Sequence, residues 1–85
     1  MDLRISVVIC TLDRAAYLRK ALASLAAQTL PAAAFEVLVV DNGSRDDTAA
    51  VVAASPGVRY LKEPVLGLSR ARNRGWQEAR APYVA

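Results

Sequence analysis

The chain has 85 residues, 54% of them hydrophobic, with a formal net charge of +3, one cysteine and no histidine. That length limits it to one small domain, burying roughly 60–65% of the surface its unfolded form exposes. No apolar run is long enough to cross a bilayer, and histidine-based catalysis and Cys/His metal sites are excluded.

Met1 to Arg4 leads directly into a strand pattern with no apolar h-region and no small-residue cleavage site. No secretion signal is therefore expected, and the cytoplasm is the expected location. Arg4 to Cys10 (RISVVIC) is a β-branched run with little alternation, as in a strand covered on both faces. Helical periodicity follows: Ala15, Leu18, Ala21, Leu22 and Leu25 share one stripe, Asp13 is placed to N-cap the helix, and Pro31 ends it near Gln28. Glu36 to Val40 predicts a second buried strand. Ser44 and Asp47 then resemble a capping box that opens a short helix through Ala54.

After Pro56-Gly57, Val58 to Leu61 predicts a third strand, Lys62 to Gly67 a loop, Leu68 to about Ala81 a third helix, and Pro82 to Ala85 the start of a fourth strand. The order β-α-β-α-β-α-β implies an α/β fold: a Rossmann-like, open, mostly parallel sheet with helices on both faces. The 17 alanines suit helices packed closely on such a sheet. With its fourth strand only begun, residues 1–85 read as the front portion of a larger domain. An unfinished sheet edge of that kind invites self-association.

In this architecture ligands bind at the carboxyl ends of the strands, which gathers Thr11 to Arg14, Asp41 to Asp47 and Lys62 to Ser69. Asp41 accepts hydrogen bonds only, whereas the Asn42 amide both donates and accepts, matching the mixed edge of a pyrimidine base. The plainer alternative is an Asx-turn that binds nothing. For Asp13 a simple N-cap is the plainer reading, and Thr11 can offer a hydroxyl to a nucleoside.

Most of the positive charge lies between Arg59 and Arg80, where six basic residues face Glu63 and Glu78. This points to a phosphate-bearing partner, or more plainly to a solvated basic face. On the third helix, Arg72 is expected near the small-residue face of Leu68, Ala71, Gly75 and Ala79, with Arg70 and Arg74 pointing away. A guanidinium so placed needs a diphosphate or a carboxylate such as Asp41, and a structural ion pair is the competing reading. Trp76 is expected to pack in the core.

Four segments together, ISVVICTLDR, ALASLAAQ, EVLVVDNGSRDDT and GLSRARNRGWQEA, resemble the N-terminal part of a family 2 glycosyltransferase of the GT-A fold, in the family's order and spacing. The resemblance implies that this portion binds the nucleotide of a UDP-, dTDP- or GDP-sugar. Thr11, Leu12 and Asp13 would then line the nucleoside pocket, Asp41 or Asn42 would contact the base, and Arg72 with Asn73 would lie near base and diphosphate. Leu12 stands where many members carry a base-stacking aromatic residue, and Asn42 where many carry a second aspartate.

The resemblance further implies sugar transfer, with inversion, to an acceptor glycan, lipid or other hydroxyl compound. It also implies Mg²⁺ or Mn²⁺ held by an Asp-x-Asp motif outside these residues. The catalytic base would likewise lie outside, so the 85-residue chain alone is expected to be inactive. Full-length relatives are often peripheral to the membrane. Two other classes compete: a receiver-like phosphoacceptor domain using Asp41, which lacks the acidic pair it needs after the first strand, and a nucleic-acid-binding module, which lacks interleaved aromatics. No nucleic-acid partner is expected.

Overall fold

The computed structural model describes residues 3–28 and 31–85; the absence of a leader expected at Met1 and Asp2 lies outside them. Four strands, β1 (Ile5–Thr11), β2 (Phe35–Asp41), β3 (Val58–Lys62) and β4 (Tyr83–Val84), alternate with helices α1 (Ala15–Ala26), α2 (Thr48–Ala53) and α3 (Leu68–Glu78). A 3₁₀ turn at Ala32–Ala34, not foreseen from the sequence, precedes β2. All three strand pairings are parallel, in the order β3-β2-β1-β4. The α/β sheet expected from the alternating pattern is thus the observed one.

The strand order explains the layering. From β1 to β3 the chain steps one way across the sheet, and right-handed crossovers place α1 and α2 on one face. The return from β3 to β4 passes back over β2 and β1, so the same handedness places α3 on the opposite face.

Strand parity then sorts the side chains. Val7, Ile9, Val37, Val39, Val58 and Tyr60 pack with Ala15, Leu18, Leu22, Val51 and Val52 beneath α1 and α2. On the other face α3 lies so close that a Cβ on Gly75 would come within 2.3 Å of Val8 Cγ1 and 3.4 Å of Val40 Cγ2. Glycine is what permits that approach. Ala71, one turn earlier, is also buried, so Ala71 and Gly75 of the predicted face meet the sheet, whereas Leu68, expected at its centre, is 57% exposed.

At the amino ends of the strands a polar cluster ties α3 and its exit to the sheet. Ser6 Oγ donates to Glu36 Oε2, which also accepts the Arg80 N–H at 2.7 Å. Arg59 Nη1 binds Glu36 Oε1 at 3.0 Å and the Glu78 carbonyl at 2.8 Å. Among the described residues no helix is long and apolar enough to cross a membrane.

Two packing expectations are corrected. Trp76 is 60% exposed rather than part of the core, because the sheet-facing stripe of α3 is the narrow one of Ala71 and Gly75. Arg72 is exposed and Arg74 half-buried, the reverse of their expected placement, for the same reason.

Candidate functional site

Parallel pairing brings the carboxyl ends of β1, β2 and β3 level: Thr11 pairs with Asp41, and Asp41 with Lys62. The loops that leave these ends are bonded into one unit. Asn42 N–H donates to the Thr11 carbonyl at 3.0 Å, and Asp13 N–H donates to Ser44 Oγ at 2.9 Å. In return Asp13 Oδ1 accepts the Arg45 N–H at 2.6 Å.

Asp13 therefore does not cap α1. It sits at φ +52°, one residue before the Arg14 cap position, and its carboxylate is turned to the neighbouring loop. The open N–H of Ala15 is instead satisfied by Asp46 Oδ2 at 3.0 Å. Ser44 likewise does not open α2, which begins only at Thr48. There Asp46 Oδ1 accepts from the Thr48 N–H at 3.1 Å and from its hydroxyl. The predicted capping box fails because the chain makes a further turn before the helix starts, leaving Ser44 beside Asp13.

Asp41 is buried, and both of its carboxylate oxygens accept hydrogen bonds. Its Oδ1 accepts from Gly43 N–H at 3.2 Å and Ser44 N–H at 2.8 Å, closing an Asx-turn across Gly43 at φ +103°. Its Oδ2 accepts from the Tyr60 hydroxyl. Burial pushes this carboxyl up, but the hydrogen bonds from Tyr60, Ser44 and Gly43 outweigh it and hold Asp41 below the usual aspartate range.

The Asn42 amide braces the third loop: Nδ2 donates to the carbonyls of Glu63 at 2.9 Å and Val65 at 3.0 Å, and Oδ1 accepts the Gly67 N–H at 2.9 Å. Both of its donors are spent on the protein, so only one acceptor position of the side chain is unspent.

The remaining candidates divide by exposure. Thr11 is buried and Leu12 is 41% exposed at the loop tip. Arg72 and Asn73 are exposed on α3. The guanidinium of Arg72 acts on the Cys10 thiol, which burial pushes up and Arg72 pulls part of the way back. Arg72 lies near the start of α3, three residues before the Gly75 that packs on Val8 and Val40, and so towards the carboxyl ends of the strands, where the loops are. Among the described residues the ion pairs are Arg19–Asp47, Arg59–Glu36 and Arg59–Glu78, and none involves Arg72. The structural ion pair considered for it is not present.

Tyr60 and Asp46 escaped the sequence reading. Strand parity would have put Tyr60 on the Asp41 face had the β2–β3 register been known, whereas no local signal marks a cap supplied from another loop. A phosphoacceptor role for Asp41 gains nothing from this arrangement, since both carboxylate oxygens already accept hydrogen bonds.

The family model "Glycosyl transferase family 2" matches residues 6–85. Validoxylamine A glucosyltransferase of Streptomyces hygroscopicus subsp. jinggangensis is 42% identical over 86 residues, covering 95% of this chain and 20% of that protein. The chain thus spans about a fifth of that relative's length.

Among solved structures, TarS 1-349 of S. aureus superposes with a TM-score of 0.88 at 29% identity, over 96% of this chain and 26% of that one. Glucosyl-3-phosphoglycerate synthase of Mycobacterium tuberculosis, in complex with Mn²⁺, UDP and glucosyl-3-phosphoglycerate, has a TM-score of 0.81 at 26% identity, over 96% of this chain and 32% of that one.

Proposed function

Because this chain belongs to glycosyl transferase family 2, we propose that residues 1–85 form the N-terminal nucleotide-sugar-binding portion of a larger glycosyltransferase domain. The observation that carries this reading is the joining of the loops at the carboxyl ends of β1, β2 and β3, where Thr11, Asp41 and Asn42 meet, together with an Arg72 guanidinium that is exposed and has no carboxylate partner among the described residues. An unpaired guanidinium suits the oxygens of a diphosphate, and polar strand ends suit a base. The UDP complex of the M. tuberculosis relative supports the same class of ligand.

In the proposed reaction an acceptor hydroxyl, on a glycan, a lipid or another compound, attacks the anomeric carbon. The bond to the nucleoside diphosphate breaks, and configuration inverts. The part of this chain is to hold and orient the donor. Thr11, Leu12 and Asp13 line the nucleoside, Asp41 and Asn42 shape the base edge, and Arg72 with Asn73 approach the diphosphate.

The described residues hold no group of three or more His, Cys, Asp or Glu side chains able to bind a metal, so they do not fit a divalent-metal centre. The Mg²⁺ or Mn²⁺ of the reading, and the base that deprotonates the acceptor, are placed outside these residues. The chain by itself is expected to bind nucleotide without transferring sugar, and to self-associate through the short β4 edge. Cytoplasmic location, peripheral to the membrane in a longer form, belongs to the same proposal.

Calorimetric titration with UDP, dTDP and GDP tests it. Saturable binding of at least one is expected; binding of none would sink the nucleotide reading.

A further inference from the structure

Two polar residues interrupt the apolar runs of β1 and β2, and the strand register sets them side by side: Ser6 pairs with Glu36. Ser6 is fully buried. Its hydroxyl donates to Glu36 Oε2 and its oxygen accepts the Ala81 N–H at 3.0 Å, while Oε2 also accepts the Arg80 N–H at 2.7 Å. Two successive backbone donors thus end on one pair of side chains. From the other side Arg59 Nη1 reaches Glu36 Oε1 at 3.0 Å and the Glu78 carbonyl at 2.8 Å, which caps the last turn of α3.

Little else holds the segment that follows. Arg80, Pro82 and Ala85 are exposed, and Tyr83 and Val84 are 73% and 41% exposed, so residues 80–85 bury little apolar surface to offset the entropy of ordering them. Their backbone bonds to β1 run from Tyr83 N–H to the Arg4 carbonyl at 3.3 Å, from Ala85 N–H to the Ser6 carbonyl at 2.8 Å, and from Val8 N–H to the Ala85 carbonyl at 2.8 Å. An element held by a few exposed hydrogen bonds belongs to the low-stability end of a fold.

We propose that Ser6, Glu36 and Arg59 form a clasp that keeps residues 79–85, the exit of α3 and β4, on the sheet as a unit able to open while β1, β2 and β3 with α1 and α2 stay folded. Opening leaves β1 an edge strand, with the Arg4 and Ser6 carbonyls and the Val8 N–H unpaired. The clasp stands apart from the nucleotide reading.

Each group bonded to the Glu36 carboxylate is a donor: the Ser6 hydroxyl from β1, Arg59 from β3 and the Arg80 N–H from the α3 exit. The charged groups on that side are Arg59 itself and Glu78 of α3, 3.4 Å from Arg59 Nη2. The clasp therefore needs the ionised carboxylate, since a proton or an amide NH₂ placed there faces another donor. Burial pushes this carboxyl up, but the Ser6, Arg80 and Arg59 hydrogen bonds outweigh it and hold it below its ordinary value. The clasp is thus complete above the ordinary glutamate range and is lost as pH falls through the lowered folded value.

Native-state amide exchange against urea, followed by NMR on the full chain, tests the clasp. In the wild type the amides of Arg80, Ala81, Tyr83 and Ala85 are expected to exchange faster than that of Val39 in the buried β2, with a shallower urea dependence. Ser6→Ala removes the acceptor of Ala81 and a donor to Glu36, and Glu36→Gln removes the charge. Each should lower protection of these four amides roughly tenfold, the scale of one charge-assisted hydrogen bond.

Protection and urea dependence equal to those of Val39 would mean that the segment opens only with the whole fold, and would overturn the proposal. Unchanged exchange of the four amides in both variants would overturn it too. Should both variants fail to fold, the wild type still decides: its four amides must open ahead of Val39, and the Arg80 and Ala81 amide resonances must shift with the Glu36 carboxyl titration. Failure of either overturns the clasp.

Discussion

Asp46 satisfies the first open N–H of α1 from 31 residues further along the chain, its Oδ2 lying 3.0 Å from the Ala15 nitrogen. With its other oxygen it opens α2 at Thr48. One carboxylate therefore organises the starts of both helices on that face and ties the β1 loop to the β2 loop. Asp46→Ala should lower the thermal midpoint by several degrees, and Asp46→Asn, which can still accept, by less. Circular dichroism melts check this; equal loss in both variants would show that charge, not capping, dominates.

The fit of α3 on the sheet predicts an unusual sign at Gly75. Alanine normally stabilises a helix interior relative to glycine by about 1 kcal/mol. Here its Cβ would meet Val8 Cγ1 at 2.3 Å, and overpacking of this kind costs about 1–3 kcal/mol. Gly75→Ala is expected to destabilise on balance, and Val8→Ala in the same chain to restore part of the loss, as read by urea denaturation.

Glu36 links folding to pH. Burial pushes its carboxyl up, but the Ser6 hydroxyl, the Arg80 N–H and Arg59 outweigh that and hold it below the usual glutamate range. A depressed folded value means that its contribution is fully present above the unfolded value and is lost as pH falls through the folded one. Glu36→Gln should cost about 1–2 kcal/mol at neutral pH, a part-exposed charged hydrogen-bond cluster. It should also flatten the acid limb of the stability curve below about pH 4.5. A parallel acid limb in the variant would assign that limb to other carboxylates.

Asn42 and the β3–α3 loop give a direct test of the brace. In Asn42→Asp a carboxylate replaces the donor that now faces the carbonyls of Glu63 and Val65. Loss of two hydrogen bonds, with acceptor set against acceptor, should destabilise by roughly 2 kcal/mol. Amide hydrogen exchange at Gly67, whose N–H is held by Oδ1, should report whether the loop loosens first.

Nucleotide affinity should depend on Arg72 far more than on Arg74. Arg72 is exposed near the start of α3, whereas Arg74 is half-buried. Arg72→Ala is expected to weaken UDP binding by at least about tenfold, the scale of a lost charged hydrogen bond, and Arg74→Ala to change it little. Equal effects in isothermal titration would remove Arg72 from the site.

The alternation of apolar runs and helical stripes determined the fold by itself. Runs such as VVIC and VLVV are satisfied between two layers, which gives a parallel sheet with right-handed crossovers, whereas the order β3-β2-β1-β4 came only from the structure. The close approach of α3 at Ala71 and Gly75 was also legible, because small residues one turn apart signal it, although Leu68 and Arg72, expected on the same face, are exposed.

Tertiary structure alone decided what the polar residues at the strand ends do. Sequence spacing assigned caps to Asp13 and Ser44 as local events. In the fold, Asp46 serves α1 from another loop and Asp13 turns to Arg45, because parallel strands bring loops 31 or 32 residues apart within hydrogen-bond reach. Tyr60 joined Asp41 for the same reason. Apolar burial follows periodicity and can be read along the chain, whereas hydrogen-bond partnership depends on angles and distances that only strand register supplies.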